Sequence, residues 1–225
     1  MQLLYTGESL LHSLARMHLG TLHYIYDPLC GWCYGAAPLL KAAAGVAGLQ
    51  IRLHAGGMMA GERRQKLTPE LRGFILQHDP RVAQLTGQEF GSAYHQGLLW
   101  DPSMVFDSEP PINATLAASE FGLEKEMLAR IQRAHFVEGR KIADREVLIN
   151  LGAELGMAGF EETFNALTGV RTQRHIEESR ALLSAVGGAG FPTYAYGTPQ
   201  GWSLLNGAAY LGKPDDWVKA LTTLP

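Results

Sequence analysis

The 225-residue chain has 46% hydrophobic and 18% charged residues, the balance of a globular protein long enough for one domain plus an insertion or for two small domains. Its net charge of −3 supplies no field to attract nucleic acid or an anionic membrane surface, so neither is expected as a partner. No apolar stretch approaches the roughly 18 residues that span a bilayer as a helix.

Residues 1–20 read as an N-terminal extension, mildly apolar but interrupted by Glu8, His12, Arg16 and His18. A secretory leader needs a basic start and an unbroken apolar segment, so the expected location is the cytoplasm. Met17 is an alternative start. In a reducing compartment two cysteines serve catalysis more readily than a structural staple.

Those cysteines, Cys30 and Cys33, are the only two in the chain and form Cys30-Gly31-Trp32-Cys33 directly after the apolar run 22–26. The run reads as a strand, 27–29 as a turn, and 31 to about 46 as a helix that Pro38 kinks by removing a hydrogen bond. A thiol at such a helix start sees unpaired N–H groups and the helix dipole, which stabilise a thiolate. One cysteine can then attack a disulfide, and the other can resolve the product. Zinc is a weak alternative, because a structural site needs four ligands. There is no second cysteine pair, and the eight histidines contain no His-x-x-x-His or His-Glu-x-x-His, so no metal is expected.

Ile51, Leu53 and Ala55 alternate with Arg52, His54 and Gly56 as a second strand, with His54 on its polar face. Strand, crossover helix and strand make a parallel, right-handed βαβ unit. Met58 and Met59 read as core or lid packing, and Arg63-Arg64-Gln65-Lys66 as a solvated loop.

Residues 61–186 read as helical throughout. Thr68-Pro69-Glu70 starts one helix, and Asn113 caps another that aligns Ala114, Ala117 and Phe121. Met127, Ile131 and Ala134 mark a third, in which His135 and Glu138 form a surface pair. Asp144 caps a fourth with Val147, Leu151 and Leu155 on one face and Gly156 as its stop. Ile176, Leu183 and Val186 mark the last.

Strand signals return after 187–190. Residues 193–196 and 202–205 flank a hairpin loop at 197–201, and a helix runs from 214 to about 224. The fold class is therefore α/β, with βαβ at one end and ββα at the other joined in a four-stranded sheet. Residues 21–60 and 187–225 build that domain, and 61–186 form an all-helical insertion.

This layout, with Cys30 and Cys33 opening the first helix and Gly190-Phe191-Pro192-Thr193 before the third strand, resembles the DsbA-like branch of the thioredoxin fold from about residue 21 onward. Residues 134–148, followed by Glu154-Leu155-Gly156-Met157, are similar to a segment shared by FrnE-type predicted disulfide isomerases and 2-hydroxychromene-2-carboxylate isomerases. The resemblance implies thiol–disulfide exchange on protein or peptide substrates, with Cys30 attacking and Cys33 resolving. It further implies a cis-proline at Pro192 beside the cysteines. Phe191 then pairs its backbone with an extended substrate in the manner of strand addition, and Gly31 and Trp32 complete the substrate contact. Trp32 and Tyr34 read equally as packing aromatics. No bound cofactor is implied, and glutathione is the implied small redox partner.

Chromene isomerases and kappa-class glutathione transferases typically have serine where this chain has Cys30. Retaining both cysteines favours disulfide exchange over a glutathione-dependent isomerase or transferase. A redox-sensitive peptide-binding module is the third reading. The direction of exchange, oxidising, reducing or isomerising, is left open by the sequence, because the two intervening residues help set the potential.

Overall fold

The computed structural model describes residues 20–224, so the expected extension up to residue 19 lies outside the described residues. In chain order these form β1 (Thr21–Tyr26), α1 (Gly31–Gly35), α2 (Ala37–Ala43), β2 (Gln50–Ala55), β3 (Gln65–Lys66), α3 (Pro69–Thr86), β4 (Val105–Phe106), α4 (Glu109–Ser119), α5 (Glu124–Phe136), α6 (Arg145–Glu154), α7 (Phe160–Leu167), α8 (Val170–Ala185), β5 (Thr193–Thr198), β6 (Gly201–Leu205) and α9 (Pro214–Thr222).

The two ends of the chain meet in one sheet of order β2-β1-β5-β6. β1 runs parallel to β2 and antiparallel to β5, with Tyr24 opposite Leu53 on one side and Tyr194 on the other. Side chains alternate across a strand. Leu22, Tyr24 and Tyr26 therefore share one face with Leu39, Leu40 and Ala43 of α2 and Trp217 and Leu221 of α9. Ile25 and Ala195 face Val186, Leu182 and Leu183 at the end of α8. Leu22 and Leu39 are 0% and 1% exposed, and burying each is worth about 1.5–3 kcal/mol.

Several details differ from the sequence reading. The helix after Cys30 is two pieces broken at Ala36, and Pro38 lies in the first turn of α2, where its missing N–H costs nothing. The segment 61–186 is not wholly helical, because β3 and β4 pair antiparallel, Gln65 with Phe106 and Lys66 with Val105. The basic run 63–66 is thus partly strand, and Arg64 reaches Asp107 at 2.8 Å.

Asn113 is no cap. It lies inside α4, buried, donating to the Phe164 carbonyl and the Thr168 hydroxyl while accepting from the Thr172 hydroxyl, and so ties α4 to α7 and α8. Asp144 stands at the N-cap of α6 without a side-chain cap bond. His54 is half-buried, with its Nε2 2.8 Å from Nδ1 of His23.

His135 is no surface residue either. It is fully buried against Tyr94, Phe106 and Phe136, since it stands four residues after Ile131 on the core face of α5. Glu138 pairs instead with Arg130 at 2.8 Å and Arg133 at 3.3 Å. No side chain bonds to either ring nitrogen of His135, and the polar group facing the ring is the backbone carbonyl of Arg140.

Burial lowers the His135 pKa from 6.5 to about 4, and it does the same for His23 and His54. The fold keeps these rings neutral where the unfolded chain takes up protons. Stability should therefore be intact above pH 6.5 and fall as pH drops towards 4. In urea unfolding at pH 7 and pH 5, His135→Leu should lose less stability between the two than the wild type. An equal loss in both proteins would contradict this.

Candidate active site

β1 delivers the chain to Asp27, where it turns, and Cys30 becomes the N-cap residue of α1. Its backbone is extended, φ −83° and ψ 114°, and its Sγ accepts from the Cys33 N–H at 3.3 Å. The thiol thus occupies the place of a capping side chain. On its other side Sγ lies 3.6 Å from the Phe191 carbonyl oxygen. The Phe191–Pro192 bond is cis, and the Phe191 ring fills the space a side chain on Gly56 would need.

The two cysteines are both free thiols but are not equivalent. Cys30 is 6% exposed and Cys33 fully buried. Burial pushes the Cys33 thiol well above its ordinary range, and the neighbouring Cys30 adds to the shift. The Tyr24 hydroxyl donates to the Cys33 carbonyl at 3.2 Å and holds the turn on the sheet.

The structure gathers the other expected residues here. Gly31 and Trp32 are half-buried in the turn. Trp32, Arg81, Leu85, Phe191, Pro192 and Leu211 line a cavity of about 380 Å³. Tyr34 instead packs inward, stacked on Phe136 with its hydroxyl donating to the Glu89 carbonyl at 2.7 Å. Met58 and Met59 are half-buried against the helical core.

Two acidic residues escaped the sequence reading. Asp27, fully buried, accepts from the N–H groups of Leu29 and Met58 and from the Ser108 hydroxyl. Burial raises its carboxyl pKa, and these bonds pull it partway back. The sequence signal was its position just before the cysteine motif, which Pro28 disguised as ordinary turn chemistry. Asp79 of α3 lies beside Gly31 and has no local signal at all. Among the described residues, no three His, Cys, Asp or Glu side chains are grouped to hold a metal ion, and no helix is long and apolar enough to cross a membrane.

The DSBA-like thioredoxin domain matches residues 21–211. The chain belongs to that family. Among solved structures, the cytosolic disulfide reductase DsbM from Pseudomonas aeruginosa is 55% identical, with a TM-score of 0.86 and coverage of 90% of this chain and 97% of that one. DsbM solved with GSH gives 55% identity and a TM-score of 0.84 over 90% and 98% of the two chains. DsbA from Klebsiella pneumoniae, at 12% identity and a TM-score of 0.53 over 90% and 87%, shares the fold alone. No curated protein matches the chain. By family and by these relatives, this DSBA-like protein is a thiol–disulfide oxidoreductase.

The difference in burial has a direct readout. Limiting iodoacetamide should label Cys30 in the native protein and Cys33 only after denaturation. Equal labelling of both in the native state would contradict the geometry.

Proposed function

We propose that Cys30 and Cys33 are the redox pair of a cytosolic disulfide reductase that acts on protein or peptide disulfides and draws its electrons from glutathione. The observation that carries this reading is the 55% identity to DsbM, a cytosolic disulfide reductase that has also been solved with GSH.

The site geometry supports the chemistry. The Cys30 thiolate attacks a substrate disulfide, forming a mixed disulfide and expelling one substrate thiol. Cys33, one turn behind, then attacks Cys30 Sγ; the second substrate thiol leaves with the Cys33 proton, and a Cys30–Cys33 disulfide remains. A first glutathione opens that disulfide at Cys30, and a second removes the first as glutathione disulfide, restoring both thiols. Two electrons pass from two glutathiones to one substrate.

Gly31 and Trp32 form one wall of the substrate site, and Phe191 and Pro192 the other. The cavity of about 380 Å³ beside them falls in the size range of small-molecule sites. Arg81 on its rim provides a positive charge for a glutathione carboxylate.

Equilibration in glutathione buffers of graded ratio tests the direction of the reaction. The pair should show a potential in the thioredoxin-to-glutaredoxin range, about −200 to −270 mV, and glutathione should drive reduction of insulin disulfides. A value near the −120 mV or so of a strong oxidant, without glutathione-driven reduction, would overturn the reductase reading.

A further inference from the structure

α3 brings to the active-site turn a carboxylate that the exchange steps do not use. Asp79 is 5% exposed, and its Oδ1 lies 3.3 Å from where a β-carbon on Gly31 would stand. Its Oδ2 is 3.2 Å from Nε2 of His95, and the Tyr94 hydroxyl also donates to it. His95 stacks on Phe90, which meets Tyr34 of α1 edge to face. The carboxylate is therefore clamped against the helix that carries both cysteines.

We propose that Asp79 sets the reducing strength of the Cys30–Cys33 pair: its negative charge beside the turn opposes the Cys30 thiolate and so favours the uncharged disulfide. The inference rests on the reading of Cys30 and Cys33 as the redox pair. A pair is a strong oxidant when its reduced form is stabilised, and a nearby anion does the reverse. Solvent screens a repulsion of this kind weakly when one partner is buried. The groups facing Asp79 are His95 and Tyr94 from the 93–97 turn and His78 from its own helix; Asp27 and Cys30 are the groups that act on Cys33. His95 sits on only one carboxylate oxygen. Burial raises the Asp79 carboxyl pKa, and the bonds from His95 and Tyr94 pull it partway back towards the ionised form; with His95 neutral, converting Asp79 to asparagine removes one negative charge from the turn.

Asp79 does not touch the sulfur atoms, so it is a positioning residue acting through its field. Asp79→Asn keeps the shape, and Asp79→Ser is a second neutral variant in case the first folds poorly. Each is equilibrated with reduced and oxidised glutathione, and alkylation of Cys30 at pH 7 is timed in a Cys33→Ser background. The equilibrium should move towards the dithiol by about tenfold, the order expected for one nearby charge and equal to about 30 mV for a two-electron couple. Alkylation of Cys30 should accelerate in step. A lower melting temperature with unchanged equilibrium and alkylation would make Asp79 merely structural and overturn the inference, as would a shift towards the disulfide. Failure of the wild-type pair to equilibrate with glutathione would instead remove the functional reading on which it rests.

Discussion

Hydrogen bonding of β1 to β5 joins the two ends of the chain across the whole helical segment, and the active site exists only once that pairing has formed. The antiparallel register sets Ile25 opposite Thr193, which brings the preceding residues, Phe191 and Pro192, alongside the turn that β1 feeds. Without it Cys30 would have a helix start beneath it and nothing opposite. The long segment between the strands adds little to the cost of closure, because loop entropy grows only with the logarithm of length. A two-part sheet can therefore carry a large insertion without losing its geometry.

That insertion is nonetheless part of the active-site scaffold. Ser108, just before α4, bonds to Asp27, and Arg180 of α8 donates to the carbonyls of Gly56 and Gly57 at 2.7 and 2.6 Å. Met58 and Leu116 pack against both main hydrophobic clusters, and Tyr34 of α1 lies among Phe90 and Phe136. The segment contributes Asp79 to the turn as well. The helical segment has a hydrophobic cluster of its own, and these contacts tie it to the sheet.

The sheet and the helix start at Cys30 were legible in the sequence because their signals are local. Alternating apolar residues define strands over five or six positions, and the three-residue cysteine spacing needs only a helix start. β3 and β4 were not legible, since two residues are too few to show a period. Asn113 misled because amide side chains cap helices more often than they bridge them, and here the Phe164 carbonyl of α7, the Thr168 hydroxyl after it and the donating Thr172 hydroxyl of α8 retained it inside α4. His135 had the right spacing from Ile131 for the core, but a polar residue beside Glu138 suggested the surface. Asp79 reaches Gly31 only through the docking of α3, and no spacing rule spans that distance.

The thiol at the helix cap and the thiol buried behind it have different work to do if position governs reactivity. The most direct measurement is to incubate the Cys33→Ser and Cys30→Ser proteins with oxidised glutathione and locate the adduct by peptide mass spectrometry. The adduct should accumulate on Cys30 of the Cys33→Ser protein, with no second thiol to release it, and Cys33 should stay unmodified in the Cys30→Ser protein. Formation of the adduct on Cys33 at a comparable rate would contradict the assignment.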